Sequence, residues 1–369
     1  ELSRQLGDTP SRHFACWGKW AACWARGRIP ESTAAAIALR EALADANPAP
    51  FMPLAAPYAS ALTALEAGDI ADAVTLSEVP AGIDVAGIDR FVAANVQLSP
   101  WTGILVTRYC CHYITGHFSR AAAVWQDVER VTAELAPTPI AQGFATSFGL
   151  TLRFACGSLP DWAERDPADL DARLDGLIRL CHEGGLGMWL SFAVLVQAAL
   201  DCQRQRLPGL RQRVAEHIRL LDAAGVRLWF VHFLALYGWL CHLDGDPSKA
   251  LSLLDDAKAE AQRSGQQLGL WDVHRLRARV LADTGNARQA FDSLVDASAA
   301  AARLGSPTFM LRCALDRHAL AGATGHADDA LAALRHAFDA MPEPDADVPD
   351  ANRARAVLSG ASAARLEEQ

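Results

Sequence analysis

Lysine is scarce in this sequence: Lys19, Lys249 and Lys258 are the only three in 369 residues. Arginine supplies the remaining positive charge and is scattered among carboxylates, which leaves a formal net charge of −9 at pH 7. No basic run is present. An acidic chain without a basic stripe is a poor candidate for contact with a phosphate backbone, so the sequence predicts no direct nucleic-acid binding.

Long apolar runs and alternating patterns are also missing. No apolar segment reaches the roughly 18 residues of a membrane span and no signal peptide is present, which predicts a cytoplasmic chain without a membrane partner. Valine, isoleucine and threonine are sparse beside the dominant alanine, and this favours helix over strand. Because the first residue is Glu1 rather than methionine, we expect an excised piece or a processed product.

Paired cysteine motifs and catalytic motifs are absent. The nine cysteines form an odd set with no C-x-x-C spacing, and most have apolar neighbours, so we expect all nine to be free thiols. Neighbours on a helix such as Cys110, Cys111 and His112, or Cys241 and His242, point apart and cannot converge on zinc. The sequence therefore predicts no metal and no cofactor. With no nucleophile elbow and no marked carboxylate pair, it predicts a chain that is not an enzyme.

What the sequence does contain is a 40-residue period. Glycines recur at this spacing in two interleaved sets, and each glycine of the second set is followed five residues later by alanine. The first set is Gly185, Gly225, Gly265 and Gly305; the second is Gly245, Gly285 and Gly325, with Ala250, Ala290 and Ala330 after them. Glycine ends helices, and a small residue lets two helices approach closely. Each period therefore predicts two antiparallel helices.

The same pattern continues toward the N-terminus with two insertions, at 80–96 and 159–170. It predicts eight helical hairpins with turns near 27, 68, 116, 157, 205, 245, 285 and 325, more than 60% helix and no sheet. Armadillo and HEAT arrays share the period, but the Gly-x4-Ala signature favours an all-α, tetratricopeptide-like α-α superhelix. We assign residues 1–138 to its N-terminal repeats, 139–358 to its C-terminal repeats and 359–369 to a tail.

Residues 227–358 resemble the C-terminal helical-repeat region of large bacterial signalling ATPases and transcriptional regulators, the adenylate-cyclase-linked and maltose-activator-like type. Residues 272–281 are similar to that family's pattern E-L-H-R-L-K-G-E-L-L, with Asp272 for Glu and Ala278 for Gly. Residues 310–320 are similar to E-L-R-A-A-L-S-L-A-R-L, and 350–358 to the family's ending. The resemblance implies a regulatory module that follows an ATPase core. This chain has no Gly-x4-Gly-Lys-Ser/Thr motif, so the ATP site and any output domain are expected elsewhere.

Aromatic residues suggest where such a module binds. Trp189 and Trp229 stand one period apart, and aromatic residues crowd the helix that follows Trp229, with His232 among them. These residues lie on the first helices of their hairpins, which line the concave face of tetratricopeptide arrays. They form either a floor for a ligand or the core between repeats. The candidate site consists of Trp189, Trp229, His232, Phe233, Tyr237, Trp271 and His274. We expect the two insertions to border the same groove.

These patterns leave several functions open. The first is a sensor module that binds a protein, a peptide or a small-molecule effector on its concave face within a larger bacterial regulator. The second is a stand-alone adaptor or peptide-binding scaffold. The third is an enzyme on a helical scaffold, for which no residue pattern speaks.

Overall fold

The computed structural model describes residues 9–43, 48–157, 167–324 and 327–360. Over these residues the chain is 79% helical, with eighteen helices and no strand, which confirms the predicted all-α superhelix. In chain order the helices are α1 (Thr9–Ala25), α2 (Ile29–Leu43), α3 (Met52–Ala67), α4 (Ile70–Leu76), α5 (Val85–Val96), α6 (Pro100–Ile114), α7 (Phe118–Glu134), α8 (Pro139–Ala155), α9 (Pro167–Glu183), α10 (Gly187–Gln203), α11 (Leu210–Ala223), α12 (Phe230–Leu243), α13 (Pro247–Ser264), α14 (Leu270–Asp283), α15 (Ala287–Arg303), α16 (Pro307–Thr324), α17 (Ala327–Asp339) and α18 (Pro349–Leu358).

The hairpin turns fall where the glycine pattern predicts them. Glycines with positive φ stand at 27, 68, 116, 157, 245 and 285, and Gln205 takes the same backbone conformation at φ 57°. Such a conformation favours glycine because a Cβ atom crowds the backbone there. The turn predicted near 325 lies outside the described residues. No helix in the described part of the chain is long and apolar enough to cross a membrane.

The predicted insertion at 80–96 is largely helical rather than a plain loop. In the hairpin formed by α3 and α4, the second helix α4 ends at Leu76, and α5 begins at Val85. The Asp84 side chain caps the start of α5 by accepting a hydrogen bond from Gly87 N. Asp89 on α5 is buried and accepts hydrogen bonds from the Ser99 hydroxyl and the backbone N–H of Trp101. The bonds of Asp89 fix α5 against the start of α6. Of the insertion at 159–170, all but the start of α9 lies outside the described residues.

Small residues stand where paired helices cross. Ala250, Ala290 and Ala330 are at most 1% exposed. A Cβ added to Gly238 of α12 would lie 3.1 Å from the carbonyl oxygen of Ala250 on α13, so these two helices touch nearly backbone to backbone. The repeated alanine is therefore a steric requirement of the hairpin, as its 40-residue spacing predicts.

Replacing Ala290 by leucine should lower the free energy of unfolding by about 1–3 kcal/mol, because the extra methylenes force the packed α14 and α15 apart. Urea denaturation measures the change. Ala302→Leu on the exposed side of α15 is the matched control and should leave the midpoint unchanged. An unchanged midpoint for Ala290→Leu would contradict the assignment of this column to the crossing.

The two halves of the superhelix stack directly on each other. Hairpin turns of the first half contact loops between hairpins of the second: Arg227 N donates to Ala25 O, and Gln267 N donates to Glu66 O, each at 2.9 Å. Further along, the Ser306 hydroxyl donates to Ile114 O at 2.8 Å. The spacing is tight, since a Cβ on Gly68 would lie 2.7 Å from Leu304 Cδ2. Glycine at this turn is thus needed for space as well as for backbone conformation.

One continuous hydrophobic core joins both halves. Trp24 of α1, Phe148 of α8 and Phe192 of α10 all surround the ring of Trp229, with centroids 5.1–5.9 Å away. Because the contact between Trp24 and Trp229 links residues about two hundred positions apart in sequence, the superhelix has a packed aromatic centre and no open channel at this point. None of the nine cysteines, all of which lie in the described residues, forms a disulfide, and seven of them are buried.

A candidate ligand-binding cavity

The structure places three of the predicted site residues in the packed core. Trp229 and Phe233 are 0% exposed and Trp271 is 2% exposed. Trp229 precedes α12 with φ 59°, an unusual conformation for a bulky residue, and is held there by two hydrogen bonds. Its backbone N–H donates to Gln266 Oε1 at 2.8 Å and its indole N–H donates to Glu66 Oε1 at 2.5 Å. A ligand on the surface does not reach this ring.

Trp189, Tyr237 and His274 lie apart from one another. Trp189 is half-buried between Phe144 and Phe192, with ring centroids 5.0 and 5.7 Å away. Tyr237 is half-buried and its hydroxyl lies beside Arg211 of α11. His274 is on another face of α14, where its Nδ1 is 3.8 Å from Asp296 Oδ2 and burial lowers its pKa. The seven predicted residues therefore do not form one site.

Two of the seven do line one cavity. His232 and Trp271 belong to the wall of a cavity of about 510 Å³ on the inner side of the superhelix. Its wall is formed by the first helices of successive hairpins, α8, α10, α12, α14 and α16, and by α18, with no residue from a second helix. This volume is in the range of small-ligand sites. The insertion at 80–96 contributes nothing to the wall.

Ion pairs across the cavity tie its helices together. Arg275 of α14 bonds Asp272 at 3.0 Å and reaches Asp316 of α16 at 3.1 Å. Arg312 of α16 donates from Nε to Asp350 Oδ2 of α18 at 2.6 Å. Burial alone would raise the pKa of Asp350, but the charge and hydrogen bonds of Arg312 outweigh it and hold that pKa below its usual range. The charged wall is therefore preorganised.

Arg312 also joins the cavity to the first half of the chain. Its Nη1 donates to Gly157 O at 3.2 Å, at the turn that ends the hairpin helix α8. Gly157 has a φ of 70°, which favours glycine, and a Cβ there would lie 2.6 Å from that nitrogen. One guanidinium thus links α8, α16 and α18 at the edge of the cavity.

Polar atoms beside the cavity lack hydrogen-bond partners. The Trp271 indole nitrogen and both ring nitrogens of His232 are buried and make no hydrogen bond of good geometry within the described structure, although Ala155 O lies near the His232 ring. Burial lowers the pKa of His232 to about 4, so the ring is neutral at physiological pH. Buried polar groups without partners are rare in native proteins and often mark a place where a ligand or water completes the bonding.

The repeat contains a signal for the cavity that the aromatic pattern obscures. His232, Asp272 and Arg312 are spaced by 40 residues, and all three line the cavity. Leu236, Leu276 and Asp316 form a second column with the same property. These columns lie next to the helix face of Trp229 and Phe233. The face of Trp229 and Phe233 points into the core. These two columns are hard to recognise in the sequence because they contain polar residues. A polar residue that recurs in a repeat normally indicates a solvent-exposed surface.

Comparison with known proteins supports the fold. No family model matches the sequence, and no curated protein sequence matches it. The crystal structure of a Rap protein complexed with competence and sporulation factor is similar, with a TM-score of 0.55 over 97% of this chain and 99% of that chain, at 10% sequence identity. At this identity the similarity concerns the fold alone. The chain thus has a tetratricopeptide-like helical-repeat fold.

Proposed function

We propose that this chain is a regulatory binding module that holds a short peptide in the inner cavity. The observation that carries the proposal is the cavity wall: none of its residues comes from a second helix, and the buried indole N–H of Trp271 makes no hydrogen bond next to an apolar floor. Repeat superhelices use such extended inner surfaces for ligands. Of the residues singled out in the sequence, we assign ligand contact to His232 and Trp271.

A peptide fits this wall better than a compact small molecule. The wall follows five successive first helices, and packed helices lie about 8–10 Å apart, so it offers a path for an extended chain. The Rap protein with the same fold has been crystallised with competence and sporulation factor bound. That complex supports ligand binding as a use of this architecture.

We further propose that binding is transmitted beyond the module. A ligand in the cavity contacts α8, α14, α16 and α18 together, and Arg312 already links three of these helices. A change in their relative positions moves the C-terminal end of the superhelix. The resemblance of residues 227–358 to regulator repeats supports an output on another domain or protein. The free thiols support a cytoplasmic location.

Filling the cavity tests the proposal. Ala199 of α10 lines it and is half-buried, so Ala199→Trp should block the cavity with little change in stability. A pool of synthetic hexapeptides is incubated with the protein, and retained peptides are identified by mass spectrometry and measured by calorimetry. We expect wild-type binding to weaken by about tenfold or more in this variant, which corresponds to about 1.4 kcal/mol.

The control for this experiment is Ala302→Trp, which places the same indole on the exposed side of α15, away from the cavity. It should bind the retained peptides like the wild-type protein, and both variants should melt within a few degrees of it. If Ala199→Trp binds normally, or if wild-type protein retains no peptide, the cavity is not the binding site.

A further inference from the structure

The inner cavity has an excess of positive charge in an acidic protein. Four arginines and three aspartates line it, whereas the whole chain has a formal net charge of −9. None of the three lysines of the chain is among the lining residues. The charge of the cavity is therefore opposite in sign to that of the whole chain. It is supplied by arginine, the side chain that pairs best with planar anions.

The three aspartates are already bound by arginines of the protein. Asp272 and Asp316 are held by Arg275 at 3.0 and 3.1 Å, and Asp350 is held by Arg312 at 2.6 Å. A basic ligand would gain little from carboxylates that arginines already neutralise, and the four arginines of the wall would repel it. The cavity is thus unsuited to a cationic ligand.

Arg279 has no such partner. Its guanidinium makes no ion pair within the described residues, and it lies over the ring of Trp239 at 5.3 Å from the centroid. Contact with the face of an aromatic ring orients a guanidinium. It does not use the N–H donors, which point outward in the plane of the guanidinium group. Arg279 is exposed at the edge of the cavity, so those donors are available to a ligand.

Arg353 of α18 is the second available cation. It is exposed, and its ion pair with Asp350 Oδ1 is 3.5 Å long. That carboxylate is already bonded by Arg312 through its other oxygen, so Arg353 gains little from it. Arg279 and Arg353 come from different helices of the same wall, α14 and α18.

We infer that the ligand of the inner cavity is an acidic peptide with a carboxylate that binds Arg279 or Arg353 while its apolar part rests near Trp271. The inference builds on the proposed peptide-binding function. It adds that the ligand is negatively charged, a property that the shape of the cavity alone does not determine. A guanidinium fork and a carboxylate match in geometry, and such a bond is stronger than one between neutral groups. The carboxylate comes from a side chain or from the C-terminus of the peptide.

Four pools of N-acetylated hexapeptides with the same uncharged random positions test this inference. One pool is neutral with an amidated C-terminus, one is neutral with a free C-terminal carboxylate, one contains an added aspartate, and one an added lysine. We expect wild-type protein to retain at least one carboxylate pool about tenfold more than the neutral amide pool, and the lysine pool least. The pool that is retained identifies the source of the carboxylate. Raising the salt concentration should reduce this preference.

Variants of the protein then show which arginines cause the preference for peptides with a carboxylate. Arg279→Gln combined with Arg353→Gln should remove it, and because both side chains are exposed, the melting temperature should stay unchanged. Arg277→Gln on the same helix is the control, since it removes the same charge at a residue that pairs with Asp255 outside the cavity. This control should keep the wild-type preference.

The outcomes separate the two proposals. If the neutral or lysine pool binds as well as the carboxylate pools, and Ala199→Trp abolishes that binding, the inference about charge is wrong while the binding site stands. If the double variant keeps the carboxylate preference, Arg279 and Arg353 are not its cause and the inference is overturned. Retention of no pool by wild-type protein overturns the proposed function and this inference together.

Discussion

The protein should lose about 3–4 kcal/mol of its stability between pH 5 and pH 8 through a single side chain, Glu66 of α3. Glu66 is 0% exposed, and burial raises its pKa from 4.5 to about 8, against the opposing effect of the hydrogen bond from Trp229. No cation pairs with it in the described structure, and its Oε2 makes no hydrogen bond. The folded state therefore keeps the carboxyl protonated well above the pH at which the unfolded chain releases the proton.

The sign follows from proton linkage. A carboxyl whose folded pKa is raised contributes its full stability below the unfolded pKa of about 4.5, and that contribution is lost as the pH rises toward 8. Glu66→Gln keeps an oxygen acceptor for the Trp229 indole but has no proton to lose. Urea denaturation at pH 5 and pH 8 should therefore show a falling free energy of unfolding for wild-type protein and a smaller fall for the variant.

Glu260 is a matched control of opposite sign. It is 4% exposed, and although burial raises its pKa, hydrogen bonds from Arg227 and Arg263 outweigh that effect and hold the pKa below its usual value. Its contribution is present above the unfolded pKa and is lost as the pH falls. Glu260→Gln should thus weaken the protein at both pH 5 and pH 8. Equal pH dependence of wild-type protein and Glu66→Gln would show that Glu66 is ionised in the folded state.

Arg312→Leu should cost about 3–5 kcal/mol, because it removes the main partner of the buried Asp350 and leaves that carboxylate only the longer, exposed pair with Arg353. The side chains of Arg312 and Asp350 are each 11% exposed, and their Nε–Oδ2 distance is 2.6 Å. The same substitution also removes the donor to Gly157 O, which ties α8 to α16. Urea denaturation measures the loss of stability.

A double-mutant cycle separates pairing from packing. Arg312→Leu combined with Asp350→Leu should recover much of the loss, because two apolar side chains leave no unpaired charge. Arg130→Ala, which breaks exposed ion pairs with Asp127 and Glu134, should leave the free energy of unfolding unchanged within error. Additive losses at Arg312 and Asp350 would mean that the two side chains act independently.

Most of the fold could be predicted because the information is local. Glycine at a turn, alanine five residues later and proline at a first helical position act within one hairpin, and the 40-residue period repeats them. The helix α5 inside the insertion at 80–96 was not predicted. Asp89 holds it through bonds with Ser99 and Trp101, which the spacing of glycines does not record.

The candidate site was predictable only in part. The aromatic pattern predicts His232 and Trp271, and both line the cavity. It does not predict Arg279 and Arg353, because an exposed arginine on a helix is ordinary until its neighbours are known. It also predicts Trp229, which lies in the core. Its indole bonds to Glu66, 163 residues earlier in the chain, and no repeat column predicts such a contact.

The sequence by itself determined the helices, their pairing into hairpins and the small residues at the crossings, since each depends on residues within one 40-residue period. Only the tertiary structure decided which face of each first helix lines the inner cavity and which face packs into the core. That choice depends on how far the superhelix turns per hairpin, and the turn brings Ala25 to Arg227 and Glu66 to Gln267. Those contacts close the aromatic centre around Trp229 and leave the adjacent column of His232, Asp272 and Arg312 facing a cavity.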